Sequence, residues 1–227
     1  MKHIGIVMAA GKGTRIGGDM PKQYMDLKGK PVLYYPLRAM QESFIDEIIV
    51  VVGKGDEAYV RENIVDKYAF SKVTEVVSGG KERSDSVYEG LKRVKEPKAS
   101  YVYIQDGARP MLNGNILERV RQDVEQYGAS IAAVRAKDTI KIGADGFVKE
   151  TPDRSDVWVV QTPQAFKGDE LLAAYEKMRG SGEVKVTDDA SVMEAYGHRA
   201  VHIAEGDYRN IKITTVEDFT LAEEFIV

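Results

Sequence analysis

The stretch His3-Ile4-Gly5-Ile6-Val7-Met8-Ala9-Ala10-Gly11-Lys12-Gly13-Thr14-Arg15, followed by Pro21-Lys22-Gln23, decides how this chain is read. A short apolar run breaks off into small residues and glycines, and two cations, Arg15 and Lys22, come just after it. The run has the length of a buried strand. The small residues at its end leave backbone N–H groups open to an anion. The pattern is a cradle for phosphates with positive charge of its own, which makes a nucleotide the leading ligand.

Working outward, residues 4–9, Glu47–Val52 and Tyr101–Gln105 read as buried strands, with Val73–Val77 weaker and Ala129–Val134 a further one. Helical patterns near 33–42, 57–69, 84–94 and 115–127 lie between them. Strand and helix in alternation predict an α/β fold, a mainly parallel sheet with helices on both faces. The pattern then changes. Thr139–Ile142, a turn at Ala144-Asp145-Gly146 and Phe147–Thr151 read as a hairpin. A two-stranded ribbon is marginal alone in water, so it is expected to lie on its own domain or on a second subunit. Beyond it the pattern predicts strands at Val157–Gln161, Val201–Ala204 and Ile211–Thr214, and helices near 169–178, after Thr187 and at about 216–225. Trp158 reads as a core residue.

Composition narrows the class. The 227 residues can bury one sizeable core, and no linker or repeat divides them. With 43% hydrophobic and 30% charged residues the chain has the profile of a globular protein. A net charge of −4 provides no general basic field, so no nucleic-acid partner is expected. The absence of cysteine removes disulfides, thiolate zinc sites and a cysteine nucleophile, and suits a cytoplasmic setting. The first residues lack the zones of a secretory signal, and the apolar run is too short to span a membrane. His3, His198 and His202 have no ligand spacing.

Spacing separates the glycine-loop chemistries. A Walker-type loop needs four residues between its glycines, then Lys and Ser or Thr. Here five residues separate Gly5 from Gly11, and Lys12 precedes Gly13. The dinucleotide fingerprint finds Gly11 and Gly13 but has Ile16 in its third glycine slot. What remains is A-A-G-x-G-x-R followed by P-K, against the plainer reading of a glycine turn with two solvated cations.

At this point nine segments in order carry a resemblance: AAGKGTR (9–15), PKQY (21–24), GGKERSDSV (79–87), DGARP (106–110), KDTIK (137–141), Asp153-Arg154, QTPQAF (161–166), TDDAS (187–191) and NIKIT (210–214). Together they resemble the 2-C-methyl-D-erythritol 4-phosphate cytidylyltransferases of non-mevalonate isoprenoid synthesis, over nearly the whole chain. The resemblance implies a Rossmann-like three-layer nucleotidyltransferase fold over 1–227, with a projecting β-hairpin arm at about 136–156 that serves a homodimer. It implies transfer of a cytidylyl group from CTP to methylerythritol phosphate, with Mg²⁺ and no enzyme nucleophile.

The resemblance also implies roles for residues. Ala9, Ala10, Gly11 and Gly13 would line the triphosphate loop. Arg15 and Lys22 would be catalytic, holding charge on the reacting phosphates. Gly79, Gly80 and Ser86 would hold the cytosine ring. Asp106, ending a strand, would take the metal, and Arg109 the phosphate of the second substrate. Thr139 and Arg154 on the arm, with Thr187 and Lys212, would complete the acceptor site, the arm reaching across the dimer. Asp188-Asp189 read as acids of a helix first turn. Gly107 stands where the family usually has alanine.

Two other functions fit parts of the pattern: a ribitol-5-phosphate cytidylyltransferase, which shares many segments, and a non-catalytic nucleotide-binding sensor on the same fold. A sensor has no use for Arg15, Lys22, Asp106 and Lys212 together. The catalytic reading makes a direct prediction. Arg15→Ala should lower turnover on the order of a thousandfold with little change in melting temperature; an unfolded variant would make Arg15 structural.

Overall fold

The computed structural model describes residues 1–11, 20–181 and 186–226. In chain order its elements are β1 (Lys2–Ala9), β2 (Asp26–Leu27), β3 (Lys30–Pro31), α1 (Tyr34–Gln41), β4 (Glu47–Val52), α2 (Glu57–Val60) and β5 (Val73–Ser78). Then come α3 (Arg83–Leu91), β6 (Ser100–Asp106), α4 (Gly114–Tyr127), β7 (Ala129–Arg135), β8 (Ile142–Ala144) and β9 (Phe147–Glu150). The chain closes with β10 (Trp158–Lys167), α5 (Gly168–Ser181), α6 (Asp189–Val192), β11 (His202–Glu205) and α7 (Val216–Phe225).

Among the described residues seven strands form one sheet in the order β11-β7-β10-β6-β1-β4-β5. The alternation of strand and helix gives parallel pairing of β1 with β4 and β6, of β4 with β5, and of β11 with β7. β10 runs antiparallel between β6 and β7, so the sheet is mixed. Successive strands depart to opposite sides of β1, and the carboxyl ends of β1 and β6 therefore border a crevice of the kind in which such sheets bind ligands.

Both faces of the sheet are covered. On one face Leu37 and Met40 of α1, Val60 after Asp56, and Ile116, Leu117, Val120 and Val124 of α4 pack on Val7, Val50, Val52 and Tyr103. On the other, Val87 and Leu91 of α3 and Leu171 and Tyr175 of α5 pack on Ile4, Ile6, Val51 and Ile104. The spacing of apolar residues along α4 dictates this burial. Asn113 caps its start by accepting from the Ile116 amide at 3.1 Å, and Gly128 ends it at φ +83°.

Three expectations need correction. Ile211–Thr214 is not a strand. The segment runs irregularly, with the Ile213 amide on the Ala108 carbonyl at 2.9 Å and Thr214 tied to Asp218. Trp158 is half-buried rather than core; Arg135 stacks on its ring at 4.3 Å, because β10 leaves the sheet's covered region at that end. The hairpin ladder is shorter than predicted: pairing runs from Ile142 to Ala144 against Phe147 to Glu150, with a register shift between Ile142 and Gly143, and Thr139 and Lys141 lie outside. The turn itself is as read, with Asp145 and Gly146 both at positive φ. Phe147 is 78% exposed, and Ile142 and Val148 are exposed beside it.

At the amino ends of the strands, His3 is enclosed by Phe44, Tyr101 and Tyr103, with Nδ1 2.8 Å from the Tyr103 hydroxyl and Nε2 3.4 Å from Glu125. Burial lowers its pKa below the ordinary 6.5 against the weaker opposing pull of Glu125 and Asp46. The unfolded chain then binds the proton more readily, so stability rises with pH across this interval and is lost as pH falls from the unfolded toward the folded pKa. Melting temperature should therefore drop between about pH 7.5 and about pH 5.5, and His3→Gln should flatten that slope. Equal slopes in the two proteins would remove His3 from the account.

Candidate active site

A cavity of ≈ 930 Å³ opens at the carboxyl ends of β1, β4, β5 and β6. It gathers Ala9, Ala10, Gly11, Lys22, Gly79, Gly80, Ser86, Asp106 and Lys212 from segments spread across the chain. Gly13 and Arg15 lie outside the described residues.

The apolar pull that seats β1 in the core delivers Ala9–Gly11 to the crevice, and a buried side chain then fixes them. Gln23 donates to the Ala9 carbonyl at 2.6 Å and to the Gly11 carbonyl at 3.0 Å. Gln23 shares its short turn with Lys22, so the Ala9–Gly11 segment and this cation are held as one unit. Lys22 donates to the Ile213 carbonyl at 2.6 Å.

At the end of β5, Gly79 and Gly80 have no room for a side chain. A Cβ on Gly79 would meet Ser86 Oγ at 2.6 Å and Ala10 Cβ at 2.7 Å, and one on Gly80 would meet Asp85 Cβ at 2.3 Å. Ser86 is 3% exposed. Its hydroxyl accepts from the Gly80 amide and donates to the Glu82 carbonyl, each at 3.0 Å. Ser86 thus shapes the glycine corner from below. The Glu82 and Asp85 side chains cap the start of α3 reciprocally.

Asp106 is the electrostatic centre. Lys212 Nζ stands 2.9 Å from Oδ2, Arg109 Nε 3.6 Å from Oδ2, and Arg83 Nε 3.8 Å from Oδ1. Burial pushes the carboxyl up, but the charges of Lys212, Arg83 and Arg109 outweigh it and hold Asp106 below the usual carboxylate range. The group is therefore ionised at neutral pH. Its backbone amide donates to Thr162 Oγ1 at 3.0 Å.

Other expected residues stand elsewhere. Arg109 is not in the cavity wall: its side chain is 11% exposed, and Nη1 donates to the Asn210 carbonyl at 2.7 Å. Thr187 lines a neighbouring cavity of ≈ 230 Å³ with Tyr175 and Asp188. Arg83 borders both. Thr139 and Arg154 lie on the exposed arm away from the cavity walls, Arg154 donating to the Lys137 carbonyl at 3.0 Å. Asp188 caps α6 together with Ser191. Asp189, read as a first-turn acid, is fully buried and takes both Arg83 nitrogens, at 2.7 and 3.2 Å, and the Tyr175 hydroxyl at 2.6 Å.

Gln23, Thr162, Asn210 and Asp189 all sit inside the nine matching segments, yet spacing alone gives none of them these partners. Their side chains bond to backbone or to groups far along the chain, as Asn210 does to the Thr162 carbonyl at 2.9 Å and Arg83 to Asp189. Such pairings leave no local pattern to read.

Comparison with known proteins gives a consistent picture. Residues 3–227 match the family described as IspD: 2-C-methyl-D-erythritol 4-phosphate cytidylyltransferase. Proteins of that name from Lachnoclostridium phytofermentans and Clostridium novyi are 45% and 47% identical over 226 and 227 residues, covering 99% of this chain and 96% of each relative. The fold is similar to a crystal structure of a 4-diphosphocytidyl-2C-methyl-D-erythritol synthase from Anaerococcus prevotii, with TM-score 0.86, 35% identity and coverage of 99% and 96%. It is also similar to the Francisella tularensis 2-C-methyl-D-erythritol 4-phosphate cytidylyltransferase, with TM-score 0.82, 30% identity and 99% coverage of both.

The bond from Asp106 to Thr162 is open to test. Thr162→Val keeps the shape and removes the acceptor, which leaves a buried amide unpaired at a cost of about 1–3 kcal/mol. Turnover should fall with Thr162→Val and be largely retained with Thr162→Ser, measured beside urea unfolding of each variant. Equal activity in the two would show that the hydroxyl does not position Asp106.

Proposed function

The chain belongs to the 2-C-methyl-D-erythritol 4-phosphate cytidylyltransferase family, and on that premise we propose how its cavity carries out the reaction. It is an enzyme that uses CTP, transferring the cytidylyl group to methylerythritol phosphate and releasing pyrophosphate, in non-mevalonate isoprenoid synthesis. The step proposed is direct. An oxygen of the acceptor phosphate forms a bond to the α-phosphorus of CTP, and the bond from that phosphorus to the bridging oxygen of the β-phosphate breaks. Pyrophosphate carries away the electron pair.

The observation that carries this reading is the ionised Asp106 beside Lys212, with Arg109 and Arg83 behind it, in the same cavity as the Ala9–Gly11 loop and Lys22. A reaction between two phosphates is a meeting of anions, and it needs positioned charge more than a nucleophile. Lys22, and Arg15 four positions after Gly11 in the sequence, serve as the cations that hold charge as it shifts to the pyrophosphate. Gly79 and Gly80 offer close backbone approach for the cytosine, with Ser86 bracing them. Lys212 draws in the acceptor phosphate. Arg109 acts from behind, keeping Asp106 and the Asn210 segment in place.

Among the described residues no three acids or histidines cluster to cage an ion. One ionised carboxylate lining the cavity suits Mg²⁺, which is commonly held by one or two carboxylates and the substrate's own phosphates. Asp106 would hold it, and the ion would supply neutralisation of triphosphate charge. The arm supports a homodimer: a two-stranded ribbon bearing Ile142, Phe147 and Val148 in the open gains by covering them. Thr139 and Arg154 then serve the acceptor site of the neighbouring subunit, in a cytoplasmic enzyme with no nucleic-acid partner.

Pyrophosphate release with CTP and Mg²⁺ should be fast with methylerythritol 4-phosphate and slow with ribitol 5-phosphate. Release with neither acceptor would overturn the catalytic reading, and the reverse preference would overturn the acceptor. Mixing Arg154→Ala with Lys22→Ala protein should restore part of the activity that each lacks. No recovery, with subunit exchange shown independently, would put Arg154 in its own subunit's site.

A further inference from the structure

Besides Asp106 the cavity is lined by the carboxylates of Glu82, which caps α3, and of Asp56, which the chemistry above leaves unused. A carboxylate beside a triphosphate is repelled unless it faces a hydrogen-bond donor. Asp56 occupies the position before α2 where an aspartate ordinarily caps the helix, yet its side chain makes no cap bond. It turns back over Gly53 instead: a Cβ built there would lie 2.7 Å from Asp56 Oδ2. The Asp56 amide donates to the Gly53 carbonyl at 3.0 Å, and the Tyr24 hydroxyl donates to Asp56 Oδ2 at 3.1 Å. Burial, with the charge of Asp56 adding to it, raises the pKa of Tyr24 well above its usual range, so this hydroxyl stays a donor. Among the described residues Tyr24 is the one side chain bonded to the Asp56 carboxylate. The group is held in position and keeps an oxygen for a ligand.

The neighbours of Asp56 say which end of a nucleotide it faces. Gly53 follows Val52, whose carbonyl accepts from the Gly79 amide at 2.7 Å. Gly79 stands against Ala10 and Ser86. Asp56 therefore belongs to the glycine corner. In the sheet order β6-β1-β4-β5, Asp106 and Asp56 follow strands on opposite sides of β1. CTP carries neutral hydrogen-bond donors on its ribose hydroxyls and on the exocyclic amino group of cytosine. The amino group is the one that a base seated on Gly79–Gly80 presents at its edge.

We propose that Asp56, positioned by Tyr24, determines base specificity: it accepts a hydrogen bond from the exocyclic amino group of cytosine and repels the carbonyl oxygen that uracil carries there. This rests on the reading of Gly79–Gly80 as the base corner. The Asp56→Asn side chain can accept from the amino group through its oxygen or donate to that carbonyl through its nitrogen, so the exchange removes the discrimination at one atom pair.

The test is calorimetric titration of the full chain with CTP, UTP and 2′-deoxy-CTP, with melting temperatures taken in parallel. The wild type should bind CTP more tightly than UTP. Asp56→Asn should shrink that ratio about tenfold or more, and Tyr24→Phe should shrink it by a smaller factor. A folded Asp56→Asn protein with an unchanged ratio overturns the proposal. So does a change confined to the ratio between CTP and 2′-deoxy-CTP, which would assign the carboxylate to the ribose. If Asp56→Asn does not fold, Tyr24→Phe decides by the same ratio. Binding needs no acceptor, so a shifted ratio with no pyrophosphate release in the presence of either acceptor would count against the catalytic reading while supporting the role of Asp56.

Discussion

Asp106 is a buried negative charge, and the surrounding fold supplies what such a charge requires. Lys212 comes from the irregular segment after β11, Arg109 from the turn after β6, and Arg83 from the first turn of α3. Removing any one of them would leave a charge poorly compensated in a low-dielectric setting, where an unpaired ion is costly. The same contacts therefore join three parts of the chain that the sheet alone does not connect. Arg83 extends the set further, since its other face is taken by the fully buried Asp189, itself bonded to Tyr175 of α5.

The cations facing the cavity are not left to repel one another; Asp106 sits among them. At the site proposed above, an arriving triphosphate would compete for their charge rather than create a new demand. The rigid backing is neutral: Gln23 on the loop carbonyls, Thr162 on the Asp106 amide, and Asn210 bridging to the Thr162 carbonyl. Neutral hydrogen bonds fix geometry without adding net charge to the site.

Much of the architecture was legible because it is written in local periodicity. The strands at 47–52 and 73–77 and the helices near 115–127 and 216–225 are set by apolar spacing, and the structure has them at β4, β5, α4 and α7. What periodicity could not convey was pairing direction. β10 is apolar enough for any buried strand, and only its place between β6 and β7 makes it antiparallel. Ile211–Thr214 alternates like a strand, but its backbone is bonded to Ala108 and to a helix-start aspartate instead of a ladder. For the cavity, glycines and cations near strand ends were visible, since their chemistry does not depend on a partner. The role of Asp189 was hidden because its meaning is the guanidinium of a residue 106 positions earlier.

The order in which the site's parts occur along the chain has a consequence for how a growing polypeptide completes itself. By the end of α5, six of the seven sheet strands have been made, and both core faces have most of their side chains. Asn210 and Lys212, which quiet Arg109 and Asp106, follow only after β11, close to the carboxyl end of the chain. Chains that emerge amino end first bury early segments before late ones exist. A nascent chain can thus bury its sheet before it can balance the charge at the sheet's crest. The end of the sheet that borders the cavity is among the last parts to become electrostatically whole, and the segment carrying Asn210 and Lys212 is what balances it.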